Sequence, residues 1–309
     1  MTDVTATLDA LTAEPSVVTI GNFDGVHRGH RVLVRRTVDT AADRGLRSVA
    51  MTFEPHPAAV LRPGSEPPRL QTLDERIAAL ADAGVDLVAI VPFDAALAAL
   101  SPAAFVTDVL VGGVGVQRIV VGTNFRFGNR AAGDVVTLVE QGEEHDFSVE
   151  AVTLHELEGV PLSSSAIRER LLAGELAWPT AALGRPHRVA GEVVTGEGRG
   201  RTIGVPTANL DVAPGLLVPA NGVYAGHASD GERSWPAVTN VGVRPTFDGA
   251  NRSVEVHLLD AEVDLYGRVV RFAFEHRLRG EQRFDGPDAL VAQIRQDIAT
   301  ARERLGVGT

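Results

Sequence analysis

The chain has 309 residues, 44% apolar and 22% charged, with 40 acidic against 29 basic side chains and a net charge of −11. That length exceeds one ordinary compact core and predicts two domains. The acidic balance argues against a general nucleic-acid binder, which would carry a basic stripe. Cysteine is absent, which excludes disulfides, thiolate metal sites and cysteine nucleophiles; lysine is absent too, which excludes a P-loop lysine and Schiff-base chemistry.

From the N-terminus, β-rich apolar runs at 17–20, 48–53, 87–91 and 118–121 alternate with helical patterns at 29–43 and 73–83. The alternation predicts an α/β domain of βαβ units with a parallel sheet, whose ligands lie at the carboxyl ends of strands. Beyond about residue 183 the pattern changes to short strands at 188–194, 224–228, 237–241, 253–258 and 269–276. Gly and Pro turns divide them, which predicts a small antiparallel barrel or sandwich. An amphipathic helix at about 287–305 closes the chain, and the expected domains are 1–183 and 184–309. No apolar run reaches 18 residues, and Met1-Thr2-Asp3-Val4 lacks the parts of a secretory signal, so a cytoplasmic protein that does not enter membranes is expected.

Directly after the first predicted strand comes Gly21-Asn22-Phe23-Asp24-Gly25-Val26-His27-Arg28-Gly29-His30. A lone histidine at a helix start is ordinarily a polar surface or core residue. Here His27 and His30 flank Gly29 where a helix begins, and unpaired helix amides attract anions. Gly29 lets a phosphate approach the backbone without a Cβ in the way, and imidazoles at i and i+3 share a helix face. Further along, Ser163-Ser164-Ser165-Ala166-Ile167-Arg168 reads either as a serine N-cap opening a helix at 166–172 or as a set of phosphate donors. Phe125 and Phe127 read equally as core aromatics or as site residues.

In the second half, Thr195-Gly196-Glu197-Gly198-Arg199-Gly200-Arg201-Thr202-Ile203-Gly204-Val205-Pro206-Thr207-Ala208-Asn209-Leu210 carries a G-x-G-x-G pattern. It is not a dinucleotide fingerprint, because no helix pattern follows and its surroundings are antiparallel β. Two readings remain, a flexible hairpin loop or a nest of amides for phosphates. Thr207 and Asn209 favour the second, since a hydroxyl and an amide oxygen are hard ligands suited to Mg²⁺. Glu255, inside Val254-Glu255-Val256-His257-Leu258, reads by itself as an outward-facing strand residue; His257 shares its face by alternation.

These segments resemble, in order, the prokaryotic bifunctional riboflavin kinase/FAD synthetase family. Residues 21–30 are similar to its opening H-x-G-H motif, of the nucleotidylyltransferase type. Thr52-Phe53-Glu54-Pro55-His56-Pro57, Val121-Gly122-Thr123-Asn124-Phe125-Arg126-Phe127-Gly128 and residues 163–168 resemble its next segments, with serine at 165 where the family has threonine. Residues 195–210, Asn240-Val241-Gly242-Val243-Arg244-Pro245-Thr246-Phe247 and 254–260 resemble its kinase segments. The resemblance implies a Rossmann-like adenylyltransferase domain followed by a riboflavin kinase barrel. Its substrates would be riboflavin, FMN and ATP, with FAD as final product and Mg²⁺ as cofactor. It places Glu255, His27 and His30 in catalysis, and Thr207 and Asn209 on Mg²⁺. It implies binding of ATP or flavin by Gly21, Phe23, Gly29, Asn124, Ser164, Ser165 and Arg168 in the first half. In the second half the binding positions would be Gly196, Gly198, Gly200, Arg201, Gly204, Thr207 and Asn209, with residues 280–284 near the flavin. No nucleic-acid partner is expected, and either a monomer or a transient homo-oligomer is compatible with it. A rival reading, another nucleotidylyltransferase with an unrelated β-domain, leaves residues 195–210 unexplained. A non-catalytic nucleotide or flavin sensor predicts loss of Glu255 or of one histidine, and all are present.

Overall fold

A computed structural model describes residues 2–5, 10–153, 155–196, 200, 204–246, 249–261 and 263–307. The chain divides into two compact units: residues 1–67 with 72–164, and residues 68–71 with 165–309. The helices Ser164–Leu172, beyond its first residue, and Ala177–Leu183 therefore group with the second unit.

The first unit is built on a six-stranded parallel sheet. In chain order its strands are β1 (Asp3–Thr5), β2 (Ser16–Ile20), β3 (Arg47–Glu54), β4 (Leu87–Pro92), β5 (Val116–Gly122) and β6 (Ser148–Val152). They lie in the order β1-β4-β3-β2-β5-β6. All five residues of β2 are buried, as expected for a central strand covered on both faces. Val18, Ile20, Val49 and Met51 pack on one side against Phe105, Val106, Val109 and Leu110. Those four belong to a seven-residue π-helical segment, Phe105–Val111, that the sequence pattern did not indicate. Ala50, Val88 and Ile90 pack on the other side with Val34 and Leu80, from the helices Arg28–Arg44 and Leu73–Ala81. The chain runs outward from β2 through β3 to β4, then returns to lay β5 on the opposite side of β2. That reversal is a topological switch point, and the motif at residues 21–30 emerges beside it.

A two-stranded hairpin, β7 (Glu156–Leu157) and β8 (Val160–Pro161), precedes the helix Ser164–Leu172. That helix begins two residues before the expected 166, and the Ser164 hydroxyl donates to the Asp24 carbonyl at 2.8 Å.

In the second unit the choice between barrel and sandwich resolves as a closed barrel, β10-β13-β12-β11-β14-β9. Its strands are β9 (His187–Val194), β10 (Ala208–Val212), β11 (Gly222–Ser229), β12 (Ser234–Thr246), β13 (Gly249–Leu258) and β14 (Val269–Arg279). Every neighbouring pair is antiparallel. Alternation sorts β13: Val254, Val256 and Leu258 are buried, while Ser253, Glu255 and His257 remain partly exposed on the other face. The core holds Tyr224, Phe272 and Phe274, with edge-to-face rings 4.9–5.2 Å apart. The Tyr224 hydroxyl donates to the Ala220 carbonyl, and burial pushes the phenol above its ordinary value.

The closing helix, Pro287–Leu305, lays Ile298, Ala301 and Leu305 against Val223, Ala225, Val238 and Leu259. Arg279 of β14 grips Asp297 of that helix through three contacts of 2.8–3.0 Å. Among the described residues, no helix is long and apolar enough to cross a membrane.

Two candidate active sites

In the first unit, residues 21–27 turn the chain from the end of β2 into the helix Arg28–Arg44. Phe23 and Val26 adopt φ of 48° and 38° although both are buried. Positive φ is a genuine outlier for a β-branched residue, so packing holds this loop in a conformation costing on the order of 1–3 kcal/mol per residue. His27 is the helix N-cap rather than a helical residue: its Nδ1 accepts from the His30 backbone N–H at 3.3 Å. In the neutral ring that fixes the proton on Nε2, making this nitrogen a donor. The His27 and His30 rings stack with centroids 3.6 Å apart and planes 18° from parallel. A Cβ on Gly29 would lie 3.2 Å from the His27 ring, so glycine lets the ring settle on the helix end. Gly21 lies under the Phe23 ring, 3.4 Å from where its own Cβ would sit. The result is a pair of imidazoles over a helix N-terminus, a donor array suited to an anionic phosphate chain.

Asn124 lies in an exposed turn after β5, and Ser164 is tied to the Asp24 carbonyl of the same motif. Ser165 is exposed on the first turn of its helix. Arg168 belongs to the second unit, where it is buried and its Nε donates to the Pro68 carbonyl at 2.8 Å. Phe127 is a core residue, and Phe125 packs on the same core, stacked on Phe127 at 5.7 Å.

In the second unit, the Gly-rich stretch is the connection from β9 to β10. Gly198 and Arg201 lie outside the described residues. Gly196 has a clear steric reason: an added Cβ would fall 2.0 Å from the Asn209 Nδ2. At Gly200 a Cβ would lie 2.3 Å from the Val205 carbonyl and 3.2 Å from the Thr207 hydroxyl. Gly204 has φ of +75°, in the region that favours glycine. Asn209 is a strand residue, buried, and pairs with Glu255 of β13; Glu255 pairs on its other side with Asn240 of β12. The Glu255 carbonyl accepts from the buried Thr239 hydroxyl at 3.0 Å, and His257 Nδ1 lies 2.8 Å from the Pro206 carbonyl.

Gly200, Thr207, Asn209, Glu255 and His257 line a cavity of about 1020 Å³. Val223, Val238, Leu290, Ile294 and Ile298 contribute apolar side chains to the same lining, and Arg279 and Asp297 contribute charged ones. Glu281, Gln282, Arg283 and Phe284 line it too, and the Arg279 guanidinium stands 5.6 Å from the Phe284 ring centre. A second cavity, of about 640 Å³, shares Asn209 and Ser253 with the first and runs along residues 210–218. The apolar wall from the closing helix was not foreseen, since nothing local in Leu290 or Ile294 distinguishes them from other residues on an amphipathic face. The donors Thr207, Asn209 and Glu255 are all oxygens. Among the described residues no group of three or more His, Asp or Glu is arranged to hold a metal alone.

Two family models match this chain in succession, FAD synthetase over residues 9–166 and riboflavin kinase over residues 183–305. The bifunctional riboflavin kinase/FMN adenylyltransferase of Escherichia coli K12 is 42% identical over 95% of this chain and 94% of that protein. Its counterpart in Bacillus subtilis is 35% identical over 91% of this chain and 90% of that protein. A solved structure titled as a macrolide-efflux protein from Streptococcus pneumoniae superposes with a TM-score of 0.88 at 32% identity. It covers 97% of this chain and 98% of that one, so the likeness extends over both units. The chain belongs to the bifunctional riboflavin kinase/FMN adenylyltransferase family.

Proposed function

We propose that the two activities of the family, riboflavin kinase and FMN adenylyltransferase, are divided between residues 184–309 and residues 1–183. In the first reaction the terminal ribityl hydroxyl of riboflavin attacks the γ-phosphorus of ATP, giving FMN and ADP. In the second, a phosphate oxygen of FMN attacks the α-phosphorus of a further ATP, giving FAD and pyrophosphate. The observation that carries this reading is the lining of the barrel cavity, which gathers Glu255, the hard oxygen donors Thr207 and Asn209, and apolar side chains around one space. An isoalloxazine ring suits the side formed by Val223, Leu290, Ile294 and Phe284. The nucleotide phosphates suit the end formed by the glycine-lined hairpin, Thr207 and Asn209.

A hydroxyl is a weak nucleophile, and Glu255 accepts its proton as the new O–P bond forms. Thr207 and Asn209 would hold Mg²⁺, which would supply charge neutralisation for the ATP phosphates. The adenylyl-transfer site needs no base, because an FMN phosphate is already ionised near neutral pH. There the task is alignment and charge stabilisation. His27 and His30 donate to the triphosphate over the helix N-terminus, Ser164 is a further donor, and Gly21, Phe23 and Asn124 shape the nucleotide and flavin contacts; for Ser165 and Arg168 a contact to ATP rests on the family resemblance alone. The enzyme works in the cytoplasm, without nucleic acid.

The test is incubation of the purified protein with riboflavin and MgATP, and separately with FMN and MgATP, followed by chromatography. FMN with some FAD is expected from the first and FAD from the second, with both lost on chelation of Mg²⁺. No product from either flavin would refute the reading.

A further inference from the structure

We infer that Arg76, which lies in none of the family-like motifs, is a positioning residue for adenylyl transfer. Arg76 sits on the helix Leu73–Ala81, whose start is fixed by a reciprocal cap between Thr72 and Glu75. Its side chain is only 7% exposed. Its guanidinium spans two strand ends. Nη1 donates to the Asn22 carbonyl at 3.0 Å, to the Thr52 hydroxyl at 3.3 Å and to the Phe53 carbonyl at 3.2 Å, while Nη2 pairs with Glu54. Thr52 in turn donates to the Asn22 carbonyl at 3.2 Å. Asn22 opens the loop that carries His27, and Phe53 and Glu54 end β3. The Asn22 side chain also meets His56 Nε2 at 3.3 Å, and His56 caps the short helix Pro57–Leu61.

This geometry does more than neutralise a buried charge. A planar fork with five donors reaches three acceptors and a carboxylate at once, which an ammonium on a flexible stem cannot do. The strained loop at Phe23 and Val26 needs its entry point held, and the carbonyl that Arg76 holds belongs to the residue just before Phe23. Arg76 thereby sets where the loop leaves the sheet, and with it where the His27 and His30 rings stand. The inference rests on the reading of that histidine pair as the adenylyl-transfer site.

The test is steady-state kinetics of both reactions in Arg76→Lys, with His27→Ala as control. Misplacement of a site by about 1 Å costs about 10²-fold in rate. Arg76→Lys is therefore expected to lower kcat for FAD formation from FMN by that order, with KM changed far less and riboflavin phosphorylation unaltered. Unchanged constants in Arg76→Lys, or a matching fall in both activities, would overturn it. The double variant Arg76→Met/Glu54→Met covers the case in which the single variant fails to fold. Apolar replacement of both partners commonly restores the stability of a buried pair. A merely structural pair would then regain FAD formation with its melting temperature, whereas a positioning role leaves kcat low. Full FAD synthesis by His27→Ala would instead refute the histidine site itself, and a dead His27→Ala beside a normal Arg76→Lys would refute only the role of Arg76.

Discussion

On the proposed reading, the two halves of this enzyme would meet the same ligand group, the phosphates of ATP, with different materials. The parallel sheet offers its switch point, a helix N-terminus and two stacked imidazoles, held by a strained loop. The barrel offers a glycine-lined hairpin, two neutral oxygens and a carboxylate on the outer face of β13. The proposed contrast follows from the nucleophile. A phosphate arrives ionised and asks only for alignment, so donors would suffice, whereas a hydroxyl must lose a proton, which is the role proposed for Glu255.

That contrast can be broken at its strongest point by Glu255→Gln, which keeps the size of the side chain and removes its basicity. Riboflavin phosphorylation should fall roughly 10²- to 10⁴-fold, the usual contribution of a general base, while FAD formation from supplied FMN stays near wild type. Product chromatography with each flavin reads both numbers. Next in size, His27→Ala should lower FAD formation from FMN by about 10²- to 10³-fold, the typical effect of removing one preorganised donor. FMN formation should persist, and initial rates with the two flavins decide it.

A smaller effect probes the hairpin. Gly196→Ala drives a methyl into the Asn209 amide, and should raise the KM for MgATP in the kinase reaction about tenfold, equivalent to about 1.4 kcal/mol. The adenylyl-transfer KM should not move. An equal change in both would mean that the hairpin does not belong to one site alone.

The smallest effect concerns the stability of the sheet unit. Burial works to raise the Glu150 carboxyl, but hydrogen bonds from Arg118 and Arg36 outweigh it and hold it below its ordinary value. A carboxyl lowered in the folded state stabilises fully above its unfolded value, and that contribution is lost as pH falls through the folded one. Glu150→Gln should therefore cost no more than about 1 kcal/mol at neutral pH, as for other accessible ion pairs. Variant and wild type should converge in melting temperature as pH drops below about 4. A gap that persists in acid would contradict the assignment.

Much of both candidate sites could be proposed from sequence because each is carried largely by contiguous residues. Residues 21–30 combine glycine with histidine, and residues 195–210 combine glycine with hydroxyl side chains, in runs that a plain core or surface segment does not need. What escaped was whatever depends on distance along the chain. Arg76 acts on residues 22 to 54 positions away, and Leu290 and Ile294 become cavity walls only once the closing helix docks on the barrel. The sequence Ala-Asn-Leu-Asp-Val of β10 lacks β-branched alternation, and its pairing with β9 and β13 supplies what propensity does not. The helix starts at Ser164 rather than at 166, and the Ser164 hydroxyl is engaged by a carbonyl 140 residues away, which no local pattern shows.

The claim that the two chemistries occupy separate sites is tested most directly by mixing two defective variants. Glu255→Gln and His27→Ala, each folded and each given riboflavin and MgATP alone, should make no FAD above about 1% of the wild-type rate, the residue of the losses expected above. Combined in one reaction, they should make it, because FMN released by the His27 variant is adenylylated by the Glu255 variant. A mixture that accumulates FMN, or nothing, without forming FAD would contradict the account.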